Sequence, residues 1–147
     1  MQKVTPFLWF DGKADEAAKF YASVFKESKL GKPVTGPDGN VLVVPFEIAG
    51  QEFTALNGGP QFKFNESVSF VVHCKDQGEV DYYWDKLTSG GGKESMCGWL
   101  KDKYGLSWQV VPDVLPQLMR GPKAGKVMQA FMQMKKFDIA ALERAAA

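Results

Sequence analysis

The sequence predicts an α+β fold built from two βαβββ modules with extra C-terminal helices. Three observations predict it. Before residue 112, apolar residues recur at the helical period in two stretches, and each is preceded by a short apolar strand. Each helical stretch is followed by strand-like runs, so the order strand, helix, strand, strand, strand occurs twice and reads as an internal duplication. After Pro112 the pattern turns helical and stays so to the end.

In the first module "TPFLWF" reads as a strand. "DGKADEAAKFYASVF" follows as a helix, with Ala14, Ala17, Ala18, Tyr21, Val24 and Phe25 at three- and four-residue steps. "SKLGKPV" is the second strand, and "TGPDGN" is a turn cluster. "VLVVPFEIAG" and "QEFTALNGG" are two further strands joined around Ala49-Gly50.

The second module opens with the strand "SVSFVVHC". Its helix lies in "KDQGEVDYYWDKLTSGGG", where Val80, Tyr83, Trp84 and Leu87 form one stripe that ends at the glycines. "KESMCG", "WLKDK" and "YGLSWQVV" supply three strands. In the tail, "DVLPQLMRGP" is a helical or irregular link. "KAGKVMQAFMQMKK" places Val127, Ala130, Phe131 and Met134 on one face, with Met128 and Met132 beside them, and "FDIAALERAAA" is a last helix carrying Ile139 and Leu142. The tail can dock on its own sheet or on a second subunit. The expected organisation is a single domain over residues 1–147: module one about 1–60, module two about 65–112, tail about 113–147.

Composition removes several chemistries. At 147 residues, 45% hydrophobic and 24% charged, the chain can bury one real core, which argues against disorder. A net charge of +1 offers no electrostatic footprint for nucleic acid or an anionic membrane. With no apolar span of bilayer length and no apolar leader, a cytoplasmic location is expected. Cys74 and Cys97 cannot build a disulfide framework or a zinc ribbon, and both are expected to be small buried hydrophobes. A single histidine, His73, rules out a His-rich metal site within one chain.

One strand poses a question. In "YGLSWQVVP" Leu106, Trp108 and Val110 alternate with Ser107, Gln109 and Val111, so Gln109 faces away from Trp108. An unpaired buried amide costs roughly 1–3 kcal/mol, so Gln109 requires a partner: a metal, a ligand or a neighbouring backbone group.

The two modules resemble the vicinal-oxygen-chelate (VOC) superfamily, which includes glyoxalase I, extradiol dioxygenases and antibiotic-resistance proteins of the bleomycin-resistance type. "TPFLWFDGKADEAAKFYASVF", "CGWLKDKYGLSWQVVP" and "VMQAFMQMKKFDIAALERA" are similar in order and spacing to its PhnB-like branch, the family described as 3-demethylubiquinone-9 3-methyltransferase. The resemblance implies two half-barrel sheets, each curled around a cavity, and a homodimer. Metal-using members hold their ion with four residues, His and Glu in the main, on the first and last strands of each module. By position these fall here near Pro6, near Ala55, near Ser69 (Ser67 if the register slips) and at Gln109. Proline and alanine cannot ligate, and serine and a neutral amide are poor ligands for a catalytic divalent ion. No metal and no cofactor are therefore expected.

Candidate ligand-binding residues are Gln109, Ser69, Asn57 and Trp99. Gln109 can donate and accept inside a cavity, or bond to backbone. Trp99 can line a pocket together with Trp9, Phe10 and Trp108, or pack in the core. Asn57, before Gly58-Gly59, can sit at a cavity mouth or serve the turn. His73 is the weak catalytic candidate, because only histidine has an ordinary pKa near neutrality. "SGGGKE" follows a helix and lacks P-loop spacing, so it reads as a helix-ending loop. The leading expectation is a metal-independent protein that binds a small, partly aromatic molecule in the half-barrel. The alternatives are an enzyme, carrying the family's methyltransferase description or of glyoxalase/dioxygenase type, and a non-catalytic dimeric structural or regulatory protein. A methyltransferase using S-adenosylmethionine would call for alternating strands and helices with a glycine-rich first turn, and neither occurs here.

Overall fold

A computed structural model describes residues 2–147, which form two compact units that meet in sequence at Phe64 and Asn65. The first unit runs β1 (Phe7–Phe10), α1 (Ala14–Val24), β2 (Ser28–Leu30), β3 (Val34–Thr35), β4 (Val41–Ile48) and β5 (Gln51–Asn57). Its sheet has the order β1-β5-β4-β2, with β3 also paired to β4, and β1 and β5 are parallel. The expected second strand is thus two short ones, because the register on β4 shifts between Val34 and Thr35.

Residues alternate between the faces of this sheet. Leu8, Phe10, Val44, Phe46, Ile48, Phe53 and Ala55 are buried, as is the α1 stripe of Ala14, Ala17, Ala18, Tyr21 and Val24. The three alanines admit close approach of helix to sheet, and Tyr21 then stacks on Phe46 at 5.9 Å and Phe46 on Phe53 at 5.2 Å. The α1 N-terminus has no side-chain cap from Lys13. Asn57 supplies it instead: Ala14 N donates to Asn57 Oδ1 at 2.8 Å, and Asn57 Nδ2 donates to the Val41 carbonyl at 3.0 Å.

The second unit runs β6 (Ser69–Cys74), α2 (Gln77–Thr88), β7 (Lys93–Glu94), β8 (Trp99–Lys101) and β9 (Ser107–Pro112), then α3 (Val114–Arg120), α4 (Ala124–Phe131) and α5 (Ile139–Ala146). Its sheet order is β6-β9-β8-β7, with β6 and β9 parallel, so strand order and pairing repeat those of the first unit. Asp76 caps α2 by accepting from Glu79 N at 2.9 Å, while Glu79 reaches back to Lys75 N at 2.8 Å. Val80, Trp84 and Leu87 of α2 are buried, together with Val72, Cys74, Leu100, Trp108 and Val110 of the sheet.

The tail docks on its own unit. Val127, Phe137 and Leu142 form a buried cluster that takes in Val111 at the end of β9. The Cys97 and Gly98 amides donate to the Met134 and Lys135 carbonyls at 2.7 and 2.8 Å. Gln77 clasps the start of α5, donating to the Phe137 carbonyl at 2.9 Å and accepting from Ile139 N at 2.8 Å. Gly98 has φ +80°, and a Cβ there would lie 2.3 Å from the Phe137 ring, so only glycine allows the chain to pass under that ring.

Candidate ligand-binding face

Parity along β9 answers the question that Gln109 raises. Trp108 and Val110 are buried on the face shared with the α2 stripe, and Gln109 lies on the other face, here termed the open face. Register then places its neighbours. Val71 of β6 and Trp99 of β8 flank Gln109, while Ser69 and Lys101 flank Ser107, and Lys93 of β7 pairs with Lys101. Two adjacent cross-strand rows result: Ser69, Ser107, Lys101, Lys93 in one, and Val71, Gln109, Trp99 in the other. Gln109 Nε2 donates diagonally to Ser69 Oγ at 2.9 Å.

An open pocket of about 570 Å³ lies over the β7–β8 side of this face. Trp99, Met96, Lys93, Lys101, Glu66 and Ser107 are among its lining residues. Two of its acids are engaged. Lys101 Nζ pairs with Glu66, which holds the Glu66 carboxyl below the usual glutamate range, and Glu94 accepts from Trp84 Nε1 at 3.0 Å. Ser107 is fully buried, and its Oγ has no hydrogen-bond partner among the described residues.

Of the sequence candidates, the structure brings Ser69, Gln109 and Trp99 together. His73 shares their face, but it is exposed at the strand's end, beside Val111 rather than Gln109. Asn57 belongs to the first unit, where its amide ties α1 to β5 and β4. Cys74 is buried as expected. Cys97 is not: it is half-buried on the pocket wall at φ +59°, with Sγ 3.8 Å from Met132 Sδ. The left-handed turn that admits the tail's carbonyls leaves the thiol at the surface rather than in the core.

The donor set expected for a divalent ion can be checked against these faces. Ala55 is fully buried on the α1 side, so the open-face positions of β5 are Thr54 and Leu56. In the second unit, Ser69 and Gln109 offer a hydroxyl and a neutral amide. Among the described residues no three His, Cys, Asp or Glu side chains gather as a metal site.

Sequence reasoning missed Ser107, Lys101, Lys93 and Glu66, although the shared parity of Ser107 and Gln109 was a usable signal. It also missed Asp102. Only 3% exposed, Asp102 accepts from Tyr104 N at 2.9 Å, Leu106 N at 3.1 Å and Trp108 Nε1 at 2.9 Å. This carboxylate folds "DKYGLSW" into the loop that delivers β9, so the distinctive block is in large part architecture.

Residues 2–111 match the sequence profile of the family described as 3-demethylubiquinone-9 3-methyltransferase, so the match stops before the tail. A PhnB protein of Bacillus cereus with the same description is 34% identical, with a TM-score of 0.69 over 76% of this chain and 99% of its own. The fosfomycin resistance protein FosX of Listeria monocytogenes shares the fold at 13% identity, with a TM-score of 0.60 over 79% of this chain and 94% of its own. A glyoxalase-related enzyme of Fulvimarina pelagi aligns at 15% identity and TM-score 0.50, over 78% and 91% of the two chains. No curated protein matches the sequence significantly.

Proposed function

Because the chain belongs to the 3-demethylubiquinone-9 3-methyltransferase family, the PhnB-like branch of the VOC fold, we propose that it binds a small, partly aromatic molecule on the open face of its second sheet without a catalytic metal ion. The observation that carries this reading is the Gln109–Ser69 pair at 2.9 Å, flanked by Trp99 in register. A neutral amide and a hydroxyl beside an indole able to stack on a ring support binding of a polar aromatic molecule. In this reading Gln109 orients the ligand by hydrogen bonding, Trp99 supplies apolar area, and His73 is a spectator at the strand end.

The test is tryptophan fluorescence titrated with benzoates, phenols and quinones, before and after dialysis against EDTA. A saturable change that survives chelation and disappears in Trp99→Phe is expected. A flat response across the series, or one abolished by chelation, would overturn the reading. The family's description favours methyl transfer as a second reading, and calorimetric titration with S-adenosylmethionine separates it: heat of binding would support that chemistry.

The proposal extends to a homodimer. Phe7 and Val34 lie on strands of the first sheet and are 60% and 52% exposed, apolar area of the kind a second copy covers. Sedimentation at micromolar concentration should give twice the chain mass, and a monomer mass refutes it. No helix among the described residues is long and apolar enough to cross a membrane. A cytoplasmic location belongs to the same proposal, supported by two unpaired cysteines.

A further inference from the structure

We propose that the ligand class is an aromatic carboxylate, whose carboxyl group takes the place of the Glu66 side chain on Lys101 and reaches Ser107. The inference rests on the binding reading above and adds the charge of the ligand and a residue that competes with it.

Three observations lead there. The first is the adjacency of the two rows. Lys93, Lys101 and Ser107 are register partners on three successive strands, and Trp99 and Gln109 form the next row. A cationic and hydroxyl row one step from an aromatic and amide row is laid out for a molecule with an anionic group at one end and a ring at the other. The second is Ser107 Oγ. A buried hydroxyl without a partner costs free energy that a ligand oxygen would recover, and this one lines the pocket.

The third is Glu66. Its carboxylate is largely exposed, at 64%, while the Lys101 side chain it pairs with is at 38%. An exposed ion pair of this kind is worth little in water, so an incoming carboxylate can replace Glu66 at small cost. Glu66 then acts as an internal stand-in for the ligand's anionic group: it holds Lys101 over the pocket and competes for it. The other acid in the lining, Glu94, is occupied by Trp84 and leaves Lys93 as a second cation for the same row.

Equilibrium dialysis of 2-naphthoate and its uncharged isostere 2-naphthamide tests this with the full chain. The naphthoate should bind about tenfold tighter, consistent with one charge-assisted contact. Glu66→Gln should tighten the naphthoate about threefold or more and leave the amide unchanged, by removing the competitor. A gain of affinity cannot arise from misfolding. Lys101→Met should reduce the naphthoate to the level of the amide. Equal binding of the two probes, or no gain in Glu66→Gln, overturns the assignment of charge while ring binding stands. Binding of neither probe overturns both readings.

Discussion

Gln109 Nε2 donates to Ser69 Oγ at 2.9 Å, joining the last strand of the second sheet to the first strand of the same sheet by side chains as well as by backbone. The two strands are parallel, and their backbone register already fixes Val71 beside Gln109, so the side-chain bond is not needed to set the pairing. It aims the amide. A double-mutant cycle with Gln109→Ala and Ser69→Ala should return a coupling of about 0.5–1.5 kcal/mol by denaturant unfolding, the ordinary worth of one such bond. Each single variant should weaken ring binding by more than its effect on stability accounts for. If both variants unfold as wild type, the bond contributes nothing to the fold.

Ser107 gives the opposite sign. Its hydroxyl is buried without a partner, so Ser107→Ala removes a polar group that the free protein does not use. Stability without ligand should be unchanged or rise by up to about 1 kcal/mol. Affinity for 2-naphthoate should fall. A clear loss of stability on unfolding in guanidinium would show that the hydroxyl serves the fold.

Asp102 predicts a severe variant. Its carboxylate accepts two backbone amides and the Trp108 indole N–H within a loop where it is 3% exposed. Asp102→Ala orphans all three donors and should cost about 3 kcal/mol or more, since bonds to a charged acceptor are worth about 1.5–3 kcal/mol each. Asp102→Asn keeps the shape but substitutes a donor for one acceptor oxygen, so an intermediate loss is expected. Thermal unfolding followed by near-ultraviolet dichroism, which reports Trp108, ranks the two.

The element order was legible because hydrophobic period switches cleanly between about 2 and 3.6 residues along this chain. Even the tail helices follow from Val127 and Leu142, which are fully buried. The face of Gln109 followed from strand parity alone. What parity cannot supply is register: that Lys93, Lys101 and Ser107 share a row depends on hairpin geometry, which no single strand encodes. Long-range capping was equally hidden. Asn57 caps a helix 43 residues earlier in the chain, and beside Gly58-Gly59 it looked like a turn residue. Asp102 gave no signal of its own, since a lone aspartate in a hairpin is ordinarily solvated. Only the three donors folded around it reveal a buried carboxylate.

Cys74 sets an alkaline limit on stability. Burial foremost, then the charges of Glu79, Asp113 and Asp76, pushes its thiol from 9.0 up to about 12. The folded pKa is raised, so the contribution is complete below pH 9 and is lost as pH climbs toward 12, where the unfolded chain has released a proton that the folded one retains. The slope in that window is at most about 1.4 kcal/mol per pH unit for this one group. Urea unfolding at pH 8, 9.5 and 10.5 should show a decline that Cys74→Ala flattens. A parallel decline in the variant would assign it to other groups.

Gly98 couples the tail to the rest of its unit through a contact with no room for a side chain. A Cβ at this residue would lie 2.3 Å from the Phe137 ring and 2.9 Å from the Val110 carbonyl, at a φ of +80°. Gly98→Ala therefore meets both steric overlap and a strained backbone, and the chain relieves them by releasing Phe137 from its cluster with Val127 and Leu142. A loss of about 2–4 kcal/mol is expected, in the range of a large core truncation. Limited proteolysis should then cut within residues 121–138 at protease levels that leave wild type intact. Phe137→Ala removes the overlap with the ring, though not that with the Val110 carbonyl, and also removes the buried ring, so in its background Gly98→Ala should cost clearly less than in wild type. Additive losses in the double variant would show that the ring and the glycine act independently, and that the tail is held by the Gln77 clasp and the Cys97 and Gly98 amides instead.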